Sequence, residues 1–513
     1  MSKGVKMKSI FAKMWKILKP VICVSLVIAL VVTLTGCNKN RELGKVSKSL
    51  NSYKITATLC DEEKKINAKE VVYFKNNLKE NLEYVCFNLY GTAFSEDAKI
   101  LPYTLLNENK CFPDGKNYGD LVINSVRVNG ANATHEIVGV DNNALKVNFL
   151  EPIKLNKSAE IEIEFTLTLA KSTHRLGYTD RTISLGNWYP VLCKFDGEEY
   201  DMSPYYSTGD PFYTDCANYE VEFTYPNKYS LASTGEQTKA SEDEKSGIVT
   251  VNYKALAVRD FAMCLSDDWK MSEEKVDGTT VRVFAYNSDE KLGSYLKTAV
   301  SCFKYFNSTF GTYPYTELNV VFTPFLHGGM EYPNLVLIAD NIIDEINIAK
   351  VIIHEIAHQW WYSVVGNNEL KDAWIDESLA EYSTIMFFEE HPEYGVTREQ
   401  MVKENKDDYL LFIDVMKSVV TSPLHESMEL YVSEYSSEYE YVYMIYVKGV
   451  LFQDALRNKI GDEAYVKGLS LFYKNNKFKI ATKKEFIEAF EKASGLDLER
   501  FIEEWLKGNN TIE

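Results

Sequence analysis

Residues 351–361 read Val-Ile-Ile-His-Glu-Ile-Ala-His-Gln-Trp-Trp, and the rest of the chain is best understood from them. His354 and His358 lie four residues apart in an apolar, helix-favouring run, so one helical turn places both imidazoles on the same face. Glu355 follows about 100° round the helix, where its carboxylate holds a water beside a metal ion without coordinating the ion. The stretch predicts two metal ligands and a catalytic base. The alternative is a core helix whose histidines are hydrogen-bonded to protein partners.

A third metal ligand is expected, because a catalytic zinc usually takes three protein ligands and leaves its fourth position to water. Eighteen residues separate His358 from Glu377, which opens a second helix-like run that extends to Glu390. The polar loop from Gly366 to Lys371 lets the chain double back, so that Glu377 faces the two histidines. We therefore predict that His354, His358 and Glu377 hold one Zn²⁺ ion per chain.

The spacing of these residues resembles that of a known family. His-Glu-x-x-His followed after eighteen residues by Glu resembles the gluzincin metallopeptidases. The strings His-Gln-Trp-Trp (358–361) and Trp-Ile-Asp-Glu-Ser-Leu-Ala-Glu (374–381) are similar to the M1 aminopeptidase family within them. The resemblance implies a zinc metallopeptidase with a thermolysin-like, mainly α-helical catalytic domain. It also implies peptide substrates that lose residues from the N-terminus.

Two further motifs carry the same resemblance. Gly328-Gly329-Met330-Glu331 resembles the family's Gly-x-Met-Glu-Asn motif, whose glutamate binds the free amino group of a peptide. Tyr-Val-Lys-Gly at 446–449 resembles the family's Tyr-x-Lys-Gly, whose tyrosine donates a hydrogen bond to the tetrahedral intermediate. The resemblance implies that the 328–331 motif binds substrate and that Tyr446 acts in catalysis beside Glu355.

The sequence also departs from the family pattern. Tyr332 stands where the motif has asparagine, and the residues Asn187–Pro190, near which many members carry a second amine anchor, offer no glutamate or glutamine. Two alternatives to an aminopeptidase therefore stay open. One is a zinc endopeptidase with an open cleft, and the other is an inactive surface lipoprotein that binds peptides without cutting them.

The charge balance argues against a nucleic-acid partner. The chain has 56 Lys and Arg against 74 Asp and Glu, a formal net charge of −18. Residues 1–36 hold six of the lysines and no acidic residue, so a chain without them carries −24. Such an acidic body repels nucleic acid and anionic lipid headgroups.

The N-terminus is typical of an exported protein. A lysine-rich start is followed by an apolar run from Val21 to Leu34, which is too short for an easy membrane span and predicts a signal peptide over residues 1–36. Leu34-Thr-Gly-Cys37 resembles a bacterial lipobox, which implies lipidation of Cys37 and a lipid-anchored tether over residues 37–51. We expect the protein at the extracytoplasmic face of the cell membrane. A plain signal peptide or an uncleaved anchor is the alternative.

The remaining chain divides into two predicted domains of an α+β protein. Alternating apolar residues such as Ile161, Ile163 and Phe165, with turn signals between such runs, predict an N-terminal β-sandwich or saddle-like domain over residues 52–268. Helical periods dominate after it and predict the catalytic domain over residues 269–513.

Overall fold

The computed structural model describes residues 41–286, 288–419, 425–510 and 512. The predicted signal peptide and Cys37 lie outside the described residues. Residues 41–51 of the predicted tether are packed on the body of the protein: residues 41–46 are helical, Leu43 is buried, and Lys477 pairs with Glu42. The polar composition of this segment hides the few apolar side chains that attach it, Leu43 with Val46 and Leu50.

The first region is built from strands. Its elements are one short helix, α1 (Glu108–Cys111), and sixteen strands: β1 (Ser52–Cys60), β2 (Lys65–Lys75), β3 (Asn81–Asn88), β4 (Asp120–Val128), β5 (Ala131–Asn132), β6 (His135–Val138), β7 (Ala144–Lys154), β8 (Ser158–Thr168), β9 (Leu176–Tyr178), β10 (Thr182–Leu185), β11 (Val191–Leu192), β12 (Ala217–Pro226), β13 (Ser230–Ser233), β14 (Glu236–Asp243), β15 (Ile248–Val258) and β16 (Met263–Ser266).

These strands form three sheets. The largest has the order β14-β15-β12-β1-β2-β8-β4-β5, and the two four-stranded sheets have the orders β13-β16-β10-β9 and β11-β3-β7-β6. Every second residue of β1 and β8 is buried, because successive side chains of a strand point to opposite faces. The apolar residues that alternate in the sequence therefore form the inner face of a packed sheet.

The second region combines a five-stranded mixed sheet and a two-stranded parallel sheet with nine helices among the described residues. Its strands are β17 (Lys270–Val276), β18 (Thr279–Ala285), β19 (Glu317–Thr323), β20 (Gly329–Met330), β21 (Leu335–Ala339), β22 (Val365–Gly366) and β23 (Lys479–Ile480), of which the last two form the two-stranded sheet. Its helices are α2 (Asp289–Thr309), α3 (Glu345–Ala357), α4 (Trp374–Glu390), α5 (Arg398–Val419), α6 (Glu438–Val442), α7 (Lys448–Ile460), α8 (Asp462–Asn476), α9 (Lys483–Ser494) and α10 (Glu499–Leu506).

The five-stranded sheet, ordered β17-β18-β19-β21-β20, ends in the edge strand β20 beside the site. Helix α3 starts at an N-cap, Asp344, whose side chain accepts a hydrogen bond from the Asn347 amide. Helix α4 is buried along almost its whole length. The predicted α+β class, with a β-rich region followed by a mainly helical one, is confirmed. None of the helices in the described ranges is long and apolar enough to span a bilayer.

One local prediction differs from the structure. Helix α4 begins at Trp374, so Glu377 lies within its first turn and does not open it. Tyr446 lies in a π-helical turn, Tyr443–Val447, between α6 and α7. Such a turn inserts one extra residue per turn and is frequent at functional sites. A periodicity argument misses it because the helical pattern continues on both sides.

Candidate active site

The three predicted metal ligands meet between α3 and α4. The Nε2 atoms of His354 and His358 lie 3.0 Å apart, and Glu377 Oε2 lies 3.3 Å from each of them. One donor atom from each residue thus lies within 4.8 Å of the other two. Because the first two residues are one turn apart and the loop after α3 returns the chain, the geometry follows from the spacing of the sequence.

The groups behind the ligands orient the imidazoles. The Nδ1 atom of His358 lies 2.8 Å from the carbonyl oxygen of Trp361, and Nδ1 of His354 lies 3.2 Å from Glu381 Oε1. A carbonyl oxygen can only accept, so Nδ1 of His358 donates to it and Nε2 is the nitrogen that faces the site. Asp376 Oδ1 accepts hydrogen bonds from the Glu377 amide and from the Asn367 side chain, which fixes the start of α4.

This donor set fits a zinc ion. Two imidazole nitrogens and one carboxylate oxygen form a usual three-ligand set for catalytic zinc. Glu377 Oε2 is buried without an aligned hydrogen-bond donor among the described residues. Burial opposes the charge of His358, but the neighbouring Glu377 carboxylate outweighs it and raises the His358 pKa to about 10. The carboxylate therefore already holds positive charge at the point where the donors converge.

Glu355 faces the same point from α3. It is 5% exposed, and burial raises its pKa to about 7, although the nearby His354 and His358 oppose the rise. The edge strand β20 passes directly over this carboxylate, since a Cβ atom at position 329 would lie 2.1 Å from Glu355 Oε1. Gly329 is therefore required for the close approach of the strand to the base.

Tyr446 reaches the site from the π-helical turn. Its hydroxyl donates a hydrogen bond to Glu377 Oε1, and its ring stacks beside that of His354 with the centroids 6.1 Å apart. Burial, helped by the Glu377 charge, raises the pKa of Tyr446 well above its usual value, so the hydroxyl stays a donor. The structure thus brings Tyr446 together with the metal ligands.

Glu331 follows β20 and lies next to Asp210, which was not predicted as a site residue from the sequence. Glu331 is 4% exposed, and its Oε1 has no hydrogen-bond partner in the described part of the chain. Asp210, from the coil between β11 and β12, places a carboxylate oxygen within 4.8 Å of oxygens from both Glu331 and Glu377. Two carboxylates therefore converge beside the metal ligands.

Arg175 holds Asp210 in place. Its guanidinium pairs with Asp210, donates to the Tyr205 hydroxyl at 3.3 Å, and donates through Nε to Met330 Sδ at 2.9 Å. Burial raises the pKa of Asp210, and the Arg175 charge opposes that rise. The sequence contained Asp210 in the string Asp-Pro-Phe (210–212), but no spacing rule connects that string to Glu331.

The two departures from the family pattern, Tyr332 and the residues Asn187–Pro190, are in contact with each other. The Tyr332 hydroxyl donates a hydrogen bond to Asn187 Oδ1 at 2.9 Å, and its ring fills the space over Gly186, where a Cβ atom would lie 2.0 Å from the Tyr332 hydroxyl oxygen. Asn187 in turn donates to Asp260. The Asn187–Pro190 neighbourhood thus binds Tyr332, whereas Asp210 lines the cleft.

These residues line one cavity of about 300 Å³. The lining comes from both regions: Arg175 and Asp210 from the β-rich region, and the metal ligands, Glu355 and Tyr446 from the helical region. Gly328 and Gly329 also line it, whereas Met330 is buried behind them. The site residues predicted from the sequence, except Met330, thus line a single cleft, and Cys37 lies outside the described residues.

Residues 295–505 match the model of the peptidase family M1 domain. The chain carries an M1 peptidase domain. The M1 resemblance drawn from the sequence is confirmed. Aminopeptidase 2 of Candida albicans is 24% identical over 414 residues, which are 71% of this chain and 44% of that protein. Aminopeptidase N of Lactococcus lactis is 26% identical over 250 residues, 45% of this chain and 28% of that protein. The chain spans less than half the length of these curated relatives.

A solved structure shares the fold of almost the whole chain. The M1 zinc metallopeptidase from Deinococcus radiodurans has a TM-score of 0.63 at 16% identity and covers 90% of this chain and 94% of its own. A substituted form of that protein is described as bound to a Tyr-Ser-Ala substrate. The likeness shows that the β-rich region and the M1 domain together form a known two-region fold.

Proposed function

We propose that this protein is a zinc-dependent aminopeptidase that removes N-terminal residues from peptides. The observation that carries the proposal is the convergence of Asp210 and Glu331 beside the metal ligand Glu377, with all three carboxylates within 4.8 Å. Two buried carboxylates next to a hydrolytic centre attract a cation, and the cation that every peptide with a free end carries is its α-ammonium group. Binding it there leaves room for only one residue before the scissile bond.

The residues divide the work of hydrolysis. His354, His358 and Glu377 hold the zinc ion, which when bound lowers the pKa of a coordinated water to about 7 and polarises the scissile carbonyl. Glu355 accepts the proton of the attacking water and delivers it to the leaving amine. The Tyr446 hydroxyl turns from Glu377 to donate a hydrogen bond to the oxyanion that develops on the substrate. Asp210 and Glu331 orient the ammonium end.

The test is hydrolysis of one peptide series with free and with acetylated N-termini, with and without a zinc chelator, by the protein from residue 38 onward. The proposal predicts stepwise release of N-terminal residues from free peptides alone, and loss of that activity on chelation. Cleavage of both forms at internal bonds identifies an endopeptidase. Binding without cleavage by folded, zinc-loaded protein identifies a peptide-binding scaffold.

We also propose that the protein acts at the outer face of the cell membrane, held by lipid on Cys37. The support is the sequence around Leu34–Cys37, and the acidic body of the chain fits a lipid anchor better than electrostatic binding to a membrane. Mass spectrometry of the full chain expressed in a bacterium that lipidates proteins should find a diacylated N-terminal Cys37 in the membrane fraction. A Cys37→Ser chain recovered with the same membrane attachment would contradict the anchor.

A further inference from the structure

The cleft has a direction, which the packing of β20 on α3 defines. Glu331 lies at one end, where its backbone carbonyl accepts a hydrogen bond from the side chain of Gln359, just after α3, at 3.3 Å. Next along, a Cβ atom at position 329 would meet Glu355, and one at position 328 would lie 3.9 Å from Val351 Cγ2. The strand and the helix therefore run in the same sense, and the end of the cleft farthest from Glu331 lies at the first turns of α3.

The two ends of the cleft carry opposite charge. Asp210 and Glu331 make the first end acidic, whereas Lys350 lines the cavity next to Val351 at the other end. Lys350 lies one helical turn before His354, so its side chain is on the same face of α3 as the metal ligands. The described residues give it neither an ion pair nor a hydrogen bond, and it is half-buried.

The other basic groups that line the cavity do not compete for this role. Arg175 is engaged by Asp210, Tyr205 and Met330. Burial lowers the pKa of His327, which also lines this end, to about 3, so its imidazole is neutral near pH 7. Lys350 is thus the cation at this end of the described cavity that is available to a ligand.

We infer that Lys350 binds the C-terminal carboxylate of a short peptide, and that the substrate class is peptides of about three residues with both ends free. The inference rests on the proposed aminopeptidase function. Gly328 lies three positions before Glu331, a rise of roughly 10 Å at about 3.3 Å per residue, which is the length of an extended tripeptide. The flexible lysine side chain, a compact point charge, adapts to tripeptides and slightly longer chains.

The experiment compares four forms of one tripeptide, with the N-terminus free or acetylated and the C-terminus free or amidated, and a nonapeptide in both C-terminal forms. The proteins are the zinc-loaded natural chain, Lys350→Met, Lys350→Arg and the control Lys291→Met, which removes an exposed lysine of α2 away from the cavity. Zinc content and melting temperature are measured for each protein, so that a misfolded variant is recognised.

The inference predicts that the natural chain and Lys291→Met cleave the free-acid tripeptide with about 10-fold higher kcat/KM than its amide, as expected for a hydrogen bond between charged groups. In Lys350→Met this ratio falls to about 1, and Lys350→Arg restores most of it. The nonapeptide shows no dependence on its C-terminal form, because its carboxylate lies beyond Lys350.

A ratio near 1 in the natural chain, or an unchanged ratio in folded Lys350→Met, overturns the inference while leaving the aminopeptidase intact. Equal cleavage of acetylated and free N-termini instead overturns the proposed function, and with it the reading of the cleft's two ends. The N-terminal and C-terminal arms therefore separate the two failures.

Discussion

The two regions of the molecule contribute differently to one cleft. The helical region supplies the metal ligands, Glu355 and Tyr446, all within the span from α3 to the π-helical turn. The β-rich region supplies Asp210 and the arginine that holds it. In the proposed function, bond cleavage is therefore assigned to one region, whereas recognition of the peptide's amino end depends on the contact between the two. This division makes the two functions separable by substitution.

The regions also differ in how their site residues are positioned. His354 and His358 share one helix, and Glu377 follows on the next helix along the chain. The β-rich region reaches the same point through long-range contacts, such as the hydrogen bond from Arg175 to Met330, 155 residues apart in sequence. The first arrangement is local and tolerant of changes elsewhere, but the second requires both regions to be correctly packed.

The largest expected effect comes from Glu355→Gln, which removes the base and keeps the shape of the site. We expect kcat to fall by about 10²–10⁴-fold, the usual contribution of a general base. Zinc content and peptide affinity should stay close to those of the natural chain, because in the proposed mechanism Glu355 binds neither the zinc ion nor the peptide. Single-turnover kinetics, zinc analysis and peptide titration measure the three quantities. A variant that retains the natural kcat would show that Glu355 is not the general base.

A smaller effect is expected from Glu331→Gln, which weakens the amine site without touching the metal ligands. Losing one partner of a buried charge pair commonly costs about 2–5 kcal/mol, so kcat/KM for free peptides should fall by roughly 30- to 5,000-fold. The measurement is kcat/KM for free and acetylated peptides. The ratio of kcat/KM for free peptides to kcat/KM for acetylated peptides should fall by the same factor.

Asp210→Asn is the matched variant from the β-rich region. It should reduce the same preference, and it should also lower the melting temperature, because Arg175 loses its buried partner. Equal melting temperatures for the two variants would show that the pair with Arg175 does not stabilise the protein. A preference altered by Glu331→Gln alone would show that the β-rich region does not take part in recognition.

Much of the helical region's site could be predicted from the sequence. A histidine spacing of four, a return loop and a later glutamate fix three donors through helix geometry alone. Strand alternation in residues such as Ile161 and Ile163 predicted the β-rich region in the same way, because both periods are properties of local backbone structure. Predictions based on such periods fail only where the backbone is irregular, as in the π-helical turn that carries Tyr446.

The β-rich contribution could not be predicted by these means. Asp210 lies in a coil, and its function depends on an arginine before β9 and on a strand edge in the other region. No local period relates residues that meet only after two regions pack. Tyr332 shows the same limit, since its fit over Gly186 explains a departure from the family motif that the motif itself cannot explain.

The smallest effect is a pH dependence confined to the stability of the β-rich region. Asp260 accepts hydrogen bonds from the Tyr189 hydroxyl, the Phe261 amide and the Asn187 side chain, and burial raises its pKa to about 6. Since the unfolded value is about 3.9, the folded state binds this proton more tightly. The contribution of Asp260 to stability is therefore greatest below pH 4 and declines as pH rises to 6, by about 3 kcal/mol at most.

Asp260→Asn removes the titrating group, so the difference in unfolding free energy between the natural chain and the variant should change by up to that amount between pH 4 and pH 7. Urea unfolding at pH 4, 5, 6 and 7 measures it. A difference that is constant across this range would mean that Asp260 titrates alike in both states. The preference for free N-termini should be the same in both proteins, because Asp260 holds the scaffold behind Tyr332 and does not line the cavity. A changed preference would show that amine recognition depends on Asp260 in the β-rich core as well as on Asp210 and Arg175.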